Sequence, residues 1–400
     1  MKRFSFHLIL GLTMVLLLGG IAHAGEWEDI KKQARGQTVY FNAWGGSQPI
    51  NDYIQWAANE VKNDYGVKVI HVKATDIAGV VSRIMVEKSA GKNEGGSVDL
   101  MWINGENFKN MKGNALLYGP FSQKLPHYAL VDVENKQTTV FDFTVPVDNM
   151  ESPWGMAQLV FMYDSQRLDH PPKNMTGLLE FAKKNPGRFT YPGIPGFHGT
   201  TFIKQAMLEL CADPDALSRP VDEQAFDDLT RPLWDYLDAL HPLMWRKGKA
   251  FPESASKMIP LLNDNEIFIS LSFNPNEAAN AIANSELPES VRTYVHESGT
   301  IGNSHFVAIP FNASAKAGAM VFANFLLSPN AQARKSDPKV WGDPTVLGMD
   351  KLSPAQKTLF DAIETPEATL PAKALAKVLP EPHVSWVTAL EKAWLDRYHQ

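Results

Sequence analysis

Residues Thr38–Val61 read TVYFNAWGGSQPINDYIQWAANEV. The stretch opens with Thr38 to Phe41, β-branched and aromatic residues that predict a short strand. Gly45, Gly46 and Ser47 then break the chain. Beyond them apolar residues recur at Ile50, Tyr53, Ile54, Ala57, Ala58 and Val61, the spacing of one face of a helix. Ser47 or Asn51 is available to cap that helix, and Pro49 suits its first turn. Strand, glycine turn and helix together make the opening of an α/β unit.

The same pattern continues outward. Val67 to Val72 predicts a second strand, and Ile77, Val80, Val81, Ile84 and Met85 mark an amphipathic helix. Val98 to Ile103 (VDLMWI) predicts a third strand, followed by Asn104-Gly105-Glu106 and a short helix. Strands alternating with helices place the chain in the α/β class, with a parallel sheet covered on both faces. A proline-rich stretch with Pro146 and Pro153 follows, and Ser152-Pro153-Trp154-Gly155 leads into an apolar run, Ala157 to Tyr163. This reads as a crossover between two lobes. A second α/β region runs to about His296, with Phe189 to Tyr191, a helix starting at Thr200, and a strand Ile267 to Phe273. His305 to Ile309 (HFVAI) predicts a strand returning to the first lobe, and the tail from about Gly318 is helical in pattern.

Composition narrows the class. The chain has 400 residues, 44% hydrophobic and 20% charged, enough apolar material for two or three domains' worth of core. Its net charge of −6 and lack of a basic cluster argue against nucleic acid as a partner. The N-terminus carries Lys2 and Arg3, an apolar run Leu8 to Leu18, and Ala22-His23-Ala24. That is the pattern of a secretory leader, too short to span a membrane, with cleavage expected near Ala24/Gly25. Removing two basic leader residues leaves 36 basic against 44 acidic, or −8. No cysteine follows the cleavage site, so no lipid anchor is expected there, and no second apolar run of spanning length occurs. Cys211 is the only cysteine, so no intrachain disulfide forms. The expected location is a bacterial periplasm, with the protein released free.

Motifs for chemistry are sparse. There is no H-E-x-x-H, no paired cysteine, no phosphate-binding Walker loop and no G-x-S-x-G elbow. Ser254-Ala255-Ser256-Lys257 fits S-x-x-K, but without the partner motifs of that enzyme class it reads as an exposed helical turn. What stands out is aromatic and polar residues beside loop signals, because ligands of α/β sheets sit at the carboxyl ends of strands. Trp44, Gly46 and Ser47 follow the first strand; Asn104 and Glu106 follow the third. Trp154 lies in the crossover, where it either lines a cleft or fills a core. Tyr191 precedes the turn into the Thr200 helix, where Thr200 is a plausible N-cap. Asn274-Pro275-Asn276-Glu277 resembles a capping box, so Asn274 reads both as a cap and as a ligand contact.

At these residues the chain resembles the periplasmic solute-binding proteins of ABC importers, in the class that includes thiamine, spermidine/putrescine and ferric-ion binders. Val39–Ser47 is similar to that family's first strand and loop, and Asp99–Ile103 to its third strand. Ala323–Pro329 (ANFLLSP) with Ala331-Gln332 is similar to its helix after the return strand. DLMWINGENF (99–108), SPWG (152–155) and GTIGNSHFVAIP (299–310) resemble the YnjB-type branch, across essentially the whole mature chain. The resemblance implies a type II clamshell, two α/β lobes joined by two crossover segments with a helical C-terminal tail. The expected division is a leader over 1–24, a first lobe over 25–150 plus 299–345, a second lobe over 151–298, and a helical C-terminal segment, 346–400, packing on the lobes. It also implies a monomeric binder without cofactor or catalysis, whose partners are a small solute, a membrane permease and an ATPase. By position, the implied ligand contacts are Trp44, Gly46, Ser47, Asn104, Glu106, Trp154, Tyr191, Thr200, Asn274 and Asn303. No Tyr-Tyr pair occurs, which argues against iron, and no metal ligands are expected. Aromatic faces beside carboxylates suit an organic cation of thiamine-like or polyamine-like kind. Glycine loops and helix N-termini would suit a phosphorylated or carboxylated solute instead. The competing functions are a secreted hydrolase using cleft carboxylates or Ser254 with Lys257, and a binding protein used for sensing rather than uptake.

Overall fold

A computed structural model describes residues 25–371 and 373–398. The leader expected over 1–24 lies outside them. In chain order the elements are α1 (25–34), β1 (Thr38–Trp44), α2 (Gln48–Tyr65), β2 (Lys68–Ala74), α3 (Ala78–Ser89), β3 (Leu100–Ile103) and α4 (Gly105–Gly113). A hairpin of β4 (Phe141–Asp142) and β5 (Val145–Pro146) precedes β6 (Glu151–Gln158) and β7 (Val160–Asp164). Next come α5 (Met175–Lys184), α6 (Phe197–Leu210), α7 (Phe226–Leu240), α8 (Met258–Asn263), β8 (Ile269–Ser272), α9 (Glu277–Ala283) and β9 (Val291–Tyr294). The chain ends with β10 (Thr300–Ala308), α10 (Lys316–Leu326), α11 (Pro329–Ser336), α12 (Pro354–Asp361), β11 (Val378–Leu379) and α13 (Ser385–Tyr398).

Two sheets organise two lobes. In the first, β1 runs parallel to both β2 and β3, and β10 pairs antiparallel with β3 and β6. The second is an antiparallel sheet in the order β8-β7-β9. The chain crosses from the first sheet to the second between β6 and β7, and returns between β9 and β10. β6, expected in the second lobe, therefore belongs to the first sheet, and the crossing falls at Leu159 rather than near 150. Pairing of Gly302–Ala308 with Glu151–Gln158 decides this, a contact about 150 residues apart in sequence.

Local signals explain the first lobe. All six apolar positions of α2 are buried, Pro49 lies in its first turn, and Gly66 ends it at φ 69°. Along β1, Val39, Phe41 and Ala43 point into one core, which α10 covers. Successive residues of β3 and β10 split between that core (Leu100, Val307) and a smaller one on the other face (Met101, Phe306, Ala308), as strand alternation requires. Asp99 precedes β3 and is buried. Its carboxylate accepts the backbone N–H groups of Tyr40 (2.9 Å) and Ala315 (2.8 Å), tying β1 to the entry of α10.

The C-terminal segment is less helical than its pattern suggests. α12 packs on α11 of the first lobe, and an extended strap, which includes β11, then leads to α13 on the second lobe. Trp386, Leu390 and Trp394 of α13 enter the second lobe's core. No helix among the described residues is long and apolar enough to cross a membrane. Cys211 is buried as a free thiol.

Candidate functional site

Both lobes and α13 wall a cleft of about 320 Å³. The first lobe presents the carboxyl ends of its parallel strands, the usual ligand edge of such sheets. Trp44 and Ser47 follow β1, Asp76 follows β2, and Asn104 and Glu106 follow β3. The second lobe brings the first turns of α6 and the end of β8, including Thr200, Lys204 and Asn274. His305, Trp341 and Asp343 form the floor, and Glu391 reaches in from α13.

Six of the ten sequence-selected residues line this cleft: Trp44, Ser47, Asn104, Glu106, Thr200 and Asn274. Ser47 sits at the N-cap of α2 without a side-chain cap bond. Asn104 has the same relation to α4, and its amide makes no hydrogen bond to described residues. The α4 entry depends on Gly105, at φ +61°, where a Cβ would press into the Phe143 ring. Glu106 is open to the cleft yet walled by protein. Burial raises its carboxyl, its own backbone N–H and Lys204 lower it, and Glu381 and Asp76 raise it again.

Two of the six have a different local role from the expected one. Thr200 is not an N-cap, because α6 begins at Phe197 behind Gly196. Instead its hydroxyl donates to Glu391 at 2.6 Å. Burial pushes the Glu391 carboxyl up to about 7, with the Thr200 bond opposing and Glu106 adding to the rise. Asn274 does not cap α9, which starts at Glu277. Its Oδ1 accepts from the Asn276 N–H (3.0 Å) and its Nδ2 donates to the Trp341 carbonyl (2.9 Å), joining second lobe to floor.

The other four lie elsewhere, for physical reasons. Gly46 is absent from the lining because the Trp44 ring lies over it; a Cβ there would overlap that ring. Trp154 is wholly buried in the first lobe, edge-on to Trp102 (4.9 Å) and Trp341 (5.4 Å), so it supports the floor from beneath. Tyr191 is buried in the second lobe. Its hydroxyl bonds His241 (2.7 Å) and accepts the Trp394 indole N–H (2.9 Å), which anchors α13. Asn303 is buried in β10 and donates to Glu381 at 2.9 Å. Ser254 and Ser256, read as an exposed turn, begin a helical turn whose serines face the cleft.

Sequence reasoning missed most of the charge. Lys204 is buried on α6, 2.5 Å from Glu381 and 4.7 Å from the Phe143 ring centre. Glu277 is pushed up to about 7 by burial, opposed by its bond from Ser272. His198 is pushed down to about 4 by burial and is neutral. In total six carboxyl groups line the cleft (Asp76, Glu106, Glu253, Glu277, Asp343 and Glu391), of which Asp343 is matched by buried Lys335, against one lysine, matched by Glu381. The wall is acidic and rich in tryptophan.

This two-lobed arrangement around a polar cleft is matched by known proteins. A family model described as bacterial extracellular solute-binding protein matches residues 56–347. The chain belongs to that family. Protein YnjB of Escherichia coli (strain K12) is 46% identical over 390 residues, covering 98% of each chain. Among solved structures, a putative spermidine/putrescine ABC transporter from Listeria monocytogenes superposes with TM-score 0.64 at 16% identity, over 91% of this chain and 99% of that one. The periplasmic binding protein AfuA from Actinobacillus pleuropneumoniae, solved with fructose-6-phosphate, gives 0.62 at 16%, with the same coverage. These likenesses establish the periplasmic-binding-protein fold. The family consists of substrate-binding proteins of transporters rather than enzymes, and its members are exported.

Proposed function

We propose that this protein is the free periplasmic binding component of an ABC importer for a small organic cation. The observation that carries the reading is the acidic excess of a cleft that also presents the indole rings of Trp44, Trp102 and Trp341. Carboxylates and indole rings attract the same ligand, by charge and by the ring quadrupole. Asp76 and Glu106 stand on the first lobe, Glu253 and Glu277 on the second, and Glu391 on the strap helix. A cation between them gains contacts with both lobes, so it favours the closed over the open form. Without it, like charges face each other across the cleft. The closed monomer then docks on a membrane permease and its ATPase. No covalent step is part of this reading.

The thiamine-like and polyamine-like classes both fit. The phosphate-binding alternative is disfavoured by the carboxylates, since an anion there would meet five acidic groups without a lysine or arginine partner among the described residues, while Lys204 and Asp343 are each committed to a buried ion pair. Native mass spectrometry of the chain from Gly25, followed by a thermal-shift screen of amines, vitamins and sugar phosphates, tests the reading. A one-to-one organic cation should stabilise the protein by about 2.7 kcal/mol at 100 times its Kd. Stabilisation by sugar phosphates alone would overturn it. Turnover of an ester or amide during the screen would favour the hydrolase.

A further inference from the structure

At the cleft floor, β10 and β6 fall out of regular register. His305 pairs with Gly155, but Phe306 pairs with Pro153. Such an irregularity re-aims a side chain, and His305 lines the cleft although it lies in a strand otherwise buried on both faces. Gly155 opposite has a reason to lack a side chain: a Cβ there would collide with the His305 ring and the Asp343 carboxylate. The strand pair is thus shaped around one contact, His305 Nε2 to Asp343 Oδ1 at 2.7 Å.

That contact is braced from behind. Lys335, wholly buried, donates to the other Asp343 oxygen and to the carbonyls of Asp343 (3.1 Å) and Pro344 (3.0 Å). The imidazole lies parallel to Trp341 (7° between planes, centroids 6.1 Å apart) and tilted against Trp102 at 5.1 Å. Its orientation is therefore set by a carboxylate, a lysine and two indoles. A carboxylate only accepts, so Nε2 carries the hydrogen, and in the neutral ring Nδ1 is left as a lone-pair acceptor. Nδ1 has no hydrogen-bond partner among the described residues, and it is not among the fully buried orphans.

We propose that His305 determines specificity by accepting an N–H from the solute's charged group, so that the cleft selects a protonated amine over a quaternary ammonium. Asp343 and Lys335 are positioning residues. The inference rests on the organic-cation reading and deepens it. Indole faces attract both kinds of cation, because the ring quadrupole responds to charge. Only an acceptor separates them. A quaternary group has no hydrogen to offer, and it would leave Nδ1 covered and unpaired. An unmade bond to a charged donor corresponds to about 10- to 100-fold in affinity.

The test uses two probes of equal chain length, 1,6-diaminohexane and its quaternary analogue hexamethonium, titrated by calorimetry into the chain from Gly25. The wild type should prefer the diamine by about 10-fold or more. In His305→Phe the preference should fall by about 10-fold with hexamethonium affinity unchanged, the cleft carboxylates keeping what remains, and His305→Gln, which keeps an acceptor, should recover part of the loss. Asp343→Asn should lower the preference without abolishing hexamethonium binding, an effect that loss of packing alone would not produce. Equal wild-type affinities, or a preference that is undiminished in His305→Phe, would overturn the role of His305 while leaving the cation reading intact. Binding of neither probe at millimolar concentration would sink the cation reading and this inference with it. If His305→Phe lacks a cooperative melt, the wild-type ratio and the Gln variant decide.

Discussion

Two lysines are buried beside the cleft, and they are held in opposite ways. Lys335 meets Asp343 eight residues away, within one lobe, and two backbone carbonyls complete its shell. Lys204 meets Glu381 from 177 residues away. Its neighbours come from everywhere: α6 of the second lobe carries it, the strap supplies Glu381, the β4–β5 hairpin supplies Phe143, and β10 supplies Asn303 to hold Glu381. A buried charge is costly unless its partner is fixed. The first pair is fixed by its own loop and makes a rigid floor. The second is fixed only when both lobes and the strap are in place, so it reports on how they meet.

Breaking each pair should separate these roles. Asp343→Ala leaves Lys335 sealed without its anion and should cost about 3–5 kcal/mol of stability, read from thermal or denaturant unfolding. Glu381→Ala should cost less, about 1–3 kcal/mol, because the Glu106 carboxyl remains near enough to Lys204 to offset part of its charge. Equal losses would mean that Glu106 does not stand in for Glu381 beside Lys204. Trp44→Ala should act on binding, weakening 1,6-diaminohexane by about 1–2 kcal/mol with an unchanged melting temperature. Unaltered affinity would remove Trp44 from the site.

The smallest effect is a slope with pH. Glu391 and Glu277 are both raised from 4.5 to about 7 in the folded chain. The folded form then holds these protons more tightly than the unfolded one. Their stabilisation is present in full below about 4.5 and is lost as pH rises through 7. Glu391→Gln should flatten the melting curve's dependence on pH over that window. Cation affinity should move the other way, rising as Glu391 ionises. A slope identical to wild type would show that Glu391 is already charged at low pH.

The first lobe was legible because its information is local. The alternation of β1, α2, β2, α3 and β3 follows from apolar period and glycine punctuation alone. The same topology points to the loops after β1 and β3, which is why Trp44, Ser47, Asn104 and Glu106 were readable. Aromatics were not. Trp154 and Trp102 both occupy strands, and nothing in their immediate neighbours says that one is a core residue and the other half-exposed. Tyr191 stands beside a proline-glycine turn, like a cleft residue, but its hydroxyl is spent on His241 and Trp394. The acidic wall was hidden for a different reason. Asp343 and Glu391 belong to the tail, whose pattern reads only as helix.

Taken alone, the sequence determined the α/β class, the strand–helix order of the first lobe, the exported character of the pattern and the family likeness. Each of these depends on residues within a turn or two of one another, or on motifs read in a line. Tertiary structure alone decided that β6 joins the first sheet, that the strap brings Glu381 to Lys204 and α13 brings Glu391 to the cleft, and that His305 meets Asp343 across a glycine. Burial and charge pairing depend on which distant segments come together, and a side chain's chemistry is set by those neighbours rather than by its place in the chain.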